Sequence, residues 1–229
     1  MTNPILLEGG AEFGGLMSEP DLRAIDLAGG MDAPIRILPT AAAPDNNHVR
    51  AGNNGIRWFK SLGAKDVQVV YAIDQASAND EAVSASLRTA RLIYLLGGFP
   101  RYLGETLSGS RAWEATLAAH QGGAVIAGSS AGAMVLCEHY YDPYVGKLLK
   151  GLNLIPNACV VPHHNTMGAN WVGTLARQLP TATLIGIDEG TGTILVDGKW
   201  RVYGAGSVTI YRPEDSSSSV YSRHGSFEL

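Results

Sequence analysis

The sequence predicts an α/β fold in three layers: a mostly parallel sheet with helices on both faces and a late antiparallel hairpin. Three observations predict it. Apolar strand-like runs alternate with stretches of helical periodicity along most of the chain. Glycine pairs close two of those runs, at Gly9-Gly10 and Gly97-Gly98. Near the end, Asp197-Gly198-Lys199 separates two apolar runs and reads as a hairpin turn.

The elements follow in order. Ile5–Leu7 is a first strand, Glu19–Leu27 a helix and Ile35–Leu38 a second strand. Val49, Ile56, Phe59 and Leu62 recur at helical spacing, and Gly63 supplies a stop. Val67–Tyr71 is a third strand. Ser77-x-x-Asp80 reads as the opening of a helix that runs through Arg88. Leu92–Leu96 is a fourth strand, Arg111–His120 a helix and Ala124–Ala127 a fifth strand. Further strands are expected at Val160-Val161 and Leu184–Ile187, with a helix near Asn170–Leu179 between them. Ile194–Val196 and Trp200–Tyr203 flank the hairpin turn, and Val208–Tyr211 is a last strand. The polar run Pro213–Ser219 reads as a surface loop. No repeat or Pro/Gly linker divides the chain, so one domain over residues 1–229 is expected.

Composition narrows the function classes. The chain has 229 residues, 45% of them apolar, enough for a sizeable core. Net charge is −4 and the basic residues are scattered. No cluster of Lys and Arg would neutralise a line of phosphates, which argues against a nucleic-acid partner. Cys137 and Cys159 sit in apolar surroundings and read as buried free thiols. No charged start followed by an apolar stretch reads as a leader, and no apolar run approaches a membrane span. A cytoplasmic protein is expected, with a twofold homodimer as the default assembly.

The most informative segment is Val125-Ile126-Ala127-Gly128-Ser129-Ser130-Ala131-Gly132. An apolar strand runs into Gly-x-Ser-x-Gly and a helix-compatible stretch follows. That is the layout of a nucleophile elbow, in which small flanking residues let strand and helix approach and the central serine stands clear. Ser130 is then the nucleophile. A serine hydroxyl needs a base, and the base an orienting acid. Of six histidines, only His163 and His164 follow a late strand. Asp188 and Glu189 end the next strand, and neighbouring strand residues point to opposite faces, so one of the two is expected to meet the base. Glu138 and Asp142 are rival acids just beyond the elbow helix and read as surface groups. The Ala131 N–H, with one from Gly97-Gly98, would hold an oxyanion.

These segments resemble the serine peptidases that include cyanophycinase and aspartyl dipeptidase (peptidase E). The match runs through Leu96-Gly97-Gly98, Gly128-Ser129-Ser130-Ala131-Gly132-Ala133, Leu152-Asn153-Leu154-Ile155-Pro156, Pro162-His163 and Gly186-Ile187-Asp188-Glu189-Gly190-Thr191. The resemblance implies a class I glutamine amidotransferase-like fold with serine in place of cysteine in the elbow. It implies a Ser-His-Glu triad of Ser130, His163 and Glu189, with Gly98 and Ala131 at the oxyanion. It makes Gly97, Phe99, His164 and Asp188 candidates for contact with substrate. His164 stands second as base, and Asp142 or Asp188 in reserve as acid. Two departures bear on specificity. Family members often follow Gly-Gly with Asn or Gln, where this chain has Phe99-Pro100-Arg101. Cyanophycinase-like sequences carry arginines after the histidine, and here none occurs before Arg177. The implied activity is hydrolysis of a small peptide or amide without metal or organic cofactor. A silent binding protein and an esterase or acyl-transfer enzyme on the same fold are the rivals.

Overall fold

The computed structural model describes residues 3–229. Its elements run β1 (Ile5–Glu8), α1 (Ser18–Leu27), β2 (Ile35–Leu38), α2 (His48–Ser61), β3 (Val67–Val69), α3 (Gln75–Ala78), α4 (Glu81–Arg88), β4 (Leu92–Leu95), α5 (Pro100–Leu107), α6 (Arg111–Gln121), β5 (Val125–Ser129) and α7 (Ala131–Leu136). They continue through β6 (His139–Asp142), β7 (Lys147–Lys150), β8 (Ala158–Val161), α8 (Ala169–Gln178), β9 (Thr183–Ile187), β10 (Thr191–Val196), β11 (Lys199–Gly204), β12 (Ser207–Arg212), β13 (Ser217–Ser222) and β14 (Ser226–Phe227).

Eight strands form the main sheet in the order β14-β11-β10-β1-β5-β4-β2-β3. The five from β1 to β3 pair in parallel, and β10, β11 and β14 extend the sheet antiparallel. Strands β1, β2, β4 and β5 are buried along their whole length, as expected of parallel strands covered on both faces. Alternate residues enter different cores. Ile5, Leu7, Ile93, Leu95 and Ile126 pack with α5–α7 on one face. Leu6, Leu92, Tyr94, Val125 and Ala127 pack with Ile25 of α1 and Phe59 of α2 on the other. Both cysteines are buried and free. Among the described residues, no helix is long and apolar enough to cross a membrane.

Several expectations need correction. Strands β8 and β9 do not join the main sheet. They pair in parallel with each other in a second sheet of order β13-β12-β9-β8. Ser77 does not open the helix through Arg88. Asp74 and Ser77 cap each other's turn at α3, and the Asp80 carboxylate caps α4 through the Ala82 and Val83 N–H groups. The run Pro213–Ser219 is a surface loop only in its first half. From Ser217 onward it pairs with β12 as an edge strand, whose mostly exposed positions tolerate serine. Helix α5 was not anticipated, although Pro100 at its first turn and buried Leu103 and Leu107 four residues apart signal it. Nor was the hairpin β6–β7. The turn at Asp197-Gly198 has φ of 50° and 83°, the paired positive values of a two-residue hairpin loop.

Candidate active site

The elbow is built from close approach. Ser130 stands between β5 and α7 at φ 48°, ψ −112°, a region that side-chain-bearing residues rarely occupy. Its N–H donates to the Glu8 carbonyl at 3.0 Å, and its carbonyl accepts from the Met134 N–H at 3.0 Å. A Cβ at Gly132 would lie 2.1 Å from the Leu95 carbonyl oxygen, and one at Gly128 2.5 Å from the Gly132 carbonyl carbon. Both contacts are with backbone, which cannot swing away. Gly132→Ala is therefore expected to cost about 3 kcal/mol or more, toward the upper end of overpacking effects. Chemical denaturation of the purified variant reads this directly, and a midpoint equal to wild type would refute it.

His163 arrives from the second sheet. It follows β8 and Pro162 in a left-handed conformation, φ 49° and ψ 38°. Its N–H donates to the Gly9 carbonyl at 2.8 Å, tying it to the end of β1. The imidazole lies over Gly10, where a Cβ would come within 2.4 Å of Cε1. Nε2 is 2.8 Å from Ser130 Oγ, and Nδ1 is 2.7 Å from Glu189 Oε1. With Nδ1–H donating to the carboxylate, the lone pair of Nε2 faces the serine hydroxyl. Glu189 follows β9, and its N–H donates to Asn165 Oδ1 at 3.0 Å. Asn165 lies in a π-helical turn over His164–Gly168 that sequence reasoning had no means to foresee.

His164 and Asp188 form a second pair. His164 Nδ1 is 3.3 Å from Asp188 Oδ1, and its Nε2 is 2.8 Å from the Tyr211 hydroxyl. The ring packs on Gly186, and Asp188 Oδ2 accepts from the Ser207 N–H at 2.9 Å. Both ring nitrogens of His164 are thus engaged with partners in or beside β9 and β12. The rival acids sit elsewhere. Asp142 is buried, not a surface group as expected, and its carboxylate accepts from the Tyr144 N–H at 2.9 Å. Glu138 is partly exposed, accepting from the Asn157 N–H at 2.9 Å and pairing with Lys150 at 3.2 Å.

Gly97 lies beside Ser130, where a Cβ would come within 3.3 Å of Ser130 Cβ. Gly98 has φ +138° and passes so close to the Ala41 carbonyl oxygen that a Cβ would come within 2.3 Å of it. Phe99 anchors the same turn by donating its N–H to that carbonyl at 2.9 Å, and its ring stacks on Tyr144 with centroids 4.8 Å apart. A cavity of about 620 Å³ opens here, lined by Glu12, Phe13, Asp45, Arg57, Trp58 and Phe99 among others. Glu12 escaped sequence reasoning. Its one signal is an acid two residues beyond the Gly9-Gly10 pair.

A buried acid pair lies under the elbow. Glu8 is the register partner of Ser129. It accepts from the Tyr94 hydroxyl, and Asp21 accepts from Trp58 Nε1 at 2.7 Å. Glu8 Oε1 and Asp21 Oδ1 are left without a partner unless one proton lies between them. Burial raises both carboxyls, Glu8 well above its ordinary range and Asp21 to about 7. Both shifts favour a proton held between the two carboxyls.

Comparison with known proteins gives the family. Residues 5–203 match peptidase family S51. The chain belongs to peptidase family S51. Cyanophycinase from Synechococcus elongatus is 29% identical over 213 residues, covering 85% of this chain and 63% of the relative. The cyanophycinase of a Nostoc species is 30% identical over 200 residues, covering 82% and 66%. The chain thus spans slightly under two thirds of the length of these relatives. The crystal structure of a peptidase from an acI-B1 Actinobacterium superposes with a TM-score of 0.87 at 26% identity, covering 100% of this S51 chain and 98% of that one. A putative peptidase E protein from Listeria monocytogenes shares the fold, with a TM-score of 0.65 at 16% identity over 90% of this chain and all of that one.

Proposed function

We propose that this S51 chain hydrolyses a small peptide or amide through an acyl-enzyme formed on Ser130. The reading is carried by the line from Ser130 Oγ through His163 to Glu189, with steps of 2.8 Å and 2.7 Å. In this reading His163 takes the hydroxyl proton as Oγ attacks the carbonyl carbon. The N–H groups of Gly98 and Ala131 hold the oxygen as it gains charge. Collapse of the tetrahedral intermediate breaks the C–N bond, and His163 returns the proton to the departing amine. Water then attacks the acyl carbon as His163 takes its proton, the C–Oγ bond breaks to release the acid, and His163 returns the proton to Ser130 Oγ. Glu189 keeps Nδ1 protonated and stabilises the imidazolium in both halves. Arg177 is the first arginine after His163, so an arginine–aspartate polymer is not the substrate assigned here.

A neutral fluorophosphonate tests the nucleophile. The wild-type chain is expected to gain one adduct by mass spectrometry, on the peptide containing Ser130, and Ser130→Ala none. Equal labelling of both proteins would remove Ser130 from the reaction. A panel of dipeptides, isopeptides and aryl esters run beside it reads the bond type. Turnover of esters alone would make the chain an esterase.

A further inference from the structure

The hydroxyl–imidazole–carboxylate line at Ser130 is repeated one residue along the chain. His164 follows His163, and Asp188 precedes Glu189. With Nδ1–H of His164 donating to Asp188 Oδ1 at 3.3 Å, its Nε2 accepts from the Tyr211 hydroxyl at 2.8 Å. Asp188 Oδ2 accepts from the Ser207 N–H at 2.9 Å. The side chains of His164 and Asp188 are only 13% and 17% exposed, and each of their polar atoms has a partner inside the protein. The line also joins three neighbouring strands. The second sheet runs β13-β12-β9-β8, with His164 just beyond β8, Asp188 just beyond β9 and Tyr211 within β12. To reach Tyr211, the His164 ring lies across Gly186 of β9, where a Cβ would come within 2.5 Å of Cδ2.

We propose that Tyr211, His164 and Asp188 are positioning residues. They tie the ends of β8 and β9 to β12, and so hold His163 and Glu189 at the 2.7 Å that joins base to acid. The inference rests on the hydrolytic reading of Ser130 and His163. That contact needs outside support on both sides. His163 sits at φ 49°, a left-handed conformation that a residue with a side chain keeps only where its surroundings fix it. The Glu189 side chain is 42% exposed, so little packing of its own restrains it. Their chain neighbours supply the restraint, because His164 and Asp188 bond to each other beside the His163–Glu189 contact. A base displaced by a fraction of an ångström serves the hydroxyl poorly, which gives the second line an effect on rate that its own groups do not exert on substrate.

Two readouts on folded variants test this. In protein carrying isotope-labelled histidine, exchange of the His163 Nδ1 proton with water, followed by NMR, reports the bond to Glu189 and needs no chemistry at Ser130. The rate of fluorophosphonate labelling reports how well the base serves the hydroxyl. Tyr211→Phe deletes one hydroxyl from the far end of the second line. It is expected to speed the exchange and to slow the labelling, each by about tenfold, the size of one hydrogen bond's net contribution. His164→Phe keeps a ring over Gly186 without either nitrogen and is expected to behave as Tyr211→Phe does. A merely structural role would lower the urea midpoint of both variants and leave exchange and labelling at wild-type values, which would overturn the proposal. Slower labelling with unchanged exchange would overturn it too, by placing the effect elsewhere than the His163–Glu189 contact. Should wild type take no label at Ser130, the nucleophile reading fails and the exchange rates still decide this one. Should one variant fail to fold, the other supplies both rates.

Discussion

Ser130→Ala and His163→Ala will each lower kcat by about five to six orders of magnitude, and the double variant will fall no further. In the proposed reaction the two side chains act as one unit. Without the imidazole, the Ser130 hydroxyl keeps its proton and is a poor nucleophile. Without the hydroxyl, the imidazole 2.8 Å away has nothing to activate. Glu189→Gln is expected to cost less, roughly 10²- to 10⁴-fold, because the amide can still meet the ring but does not stabilise the imidazolium. The Glu189 side chain is 42% exposed, so water replaces part of what the carboxylate supplies. Steady-state kinetics on any peptide that wild type cleaves will check all four proteins. Additive losses in the double variant would mean that Ser130 and His163 do not share a step.

Much of this site is readable because its parts lie where the chain has little freedom. Gly128 to Gly132 is local: five residues specify the turn, and the clashes at both glycines explain why larger residues would not do. The positions after β8 and β9 are readable because ligands in open α/β folds gather at the carboxyl ends of strands. Both acids lie just past the end of β9. Asp188 and Glu189 diverge, and each meets a different histidine. The sequence alone does not say that β8 and β9 leave the main sheet, since a buried parallel strand reads the same in either sheet.

The residues that escaped are those whose meaning depends on distant partners. Glu8 ends an apolar strand, and only Tyr94, 86 positions away, and Asp21 explain why it is tolerated there. Glu12 is one acid in a glycine-rich turn until Ser129 and Gly97 come beside it. Asp142 reads as a surface group because the hairpin that buries it is short and has no glycine turn pair to announce it. The serine-rich edge strand is concealed by its exposure, which removes the apolar alternation that marks a strand.

The Glu8–Asp21 pair should make stability fall as pH rises through neutrality. In the unfolded chain both carboxyls titrate near their ordinary values of 4.5 and 3.8. In the folded chain burial holds protons to higher pH, about 7 for Asp21 and higher for Glu8. Between those limits the folded state carries more protons than the unfolded state. Raising the pH therefore favours unfolding, by at most about 1.4 kcal/mol per pH unit for each retained proton. The contribution is fully present below about pH 4. It is lost progressively as pH rises through about 7, where charge is forced onto buried oxygens facing Tyr94, Trp58 and Glu12. Glu8→Gln separates this effect from other titrations. The amide nitrogen donates to Asp21 as the protonated acid does, its oxygen accepts from Tyr94, and neither changes with pH. Urea midpoints should converge for the two proteins near pH 4.5 and diverge above pH 7, with Glu8→Gln the more stable at pH 9. The elbow should respond as well, because the Glu8 carbonyl holds the Ser130 N–H and charging the pair strains the same residue. Parallel stability curves across that range would show that the two carboxyls share no proton.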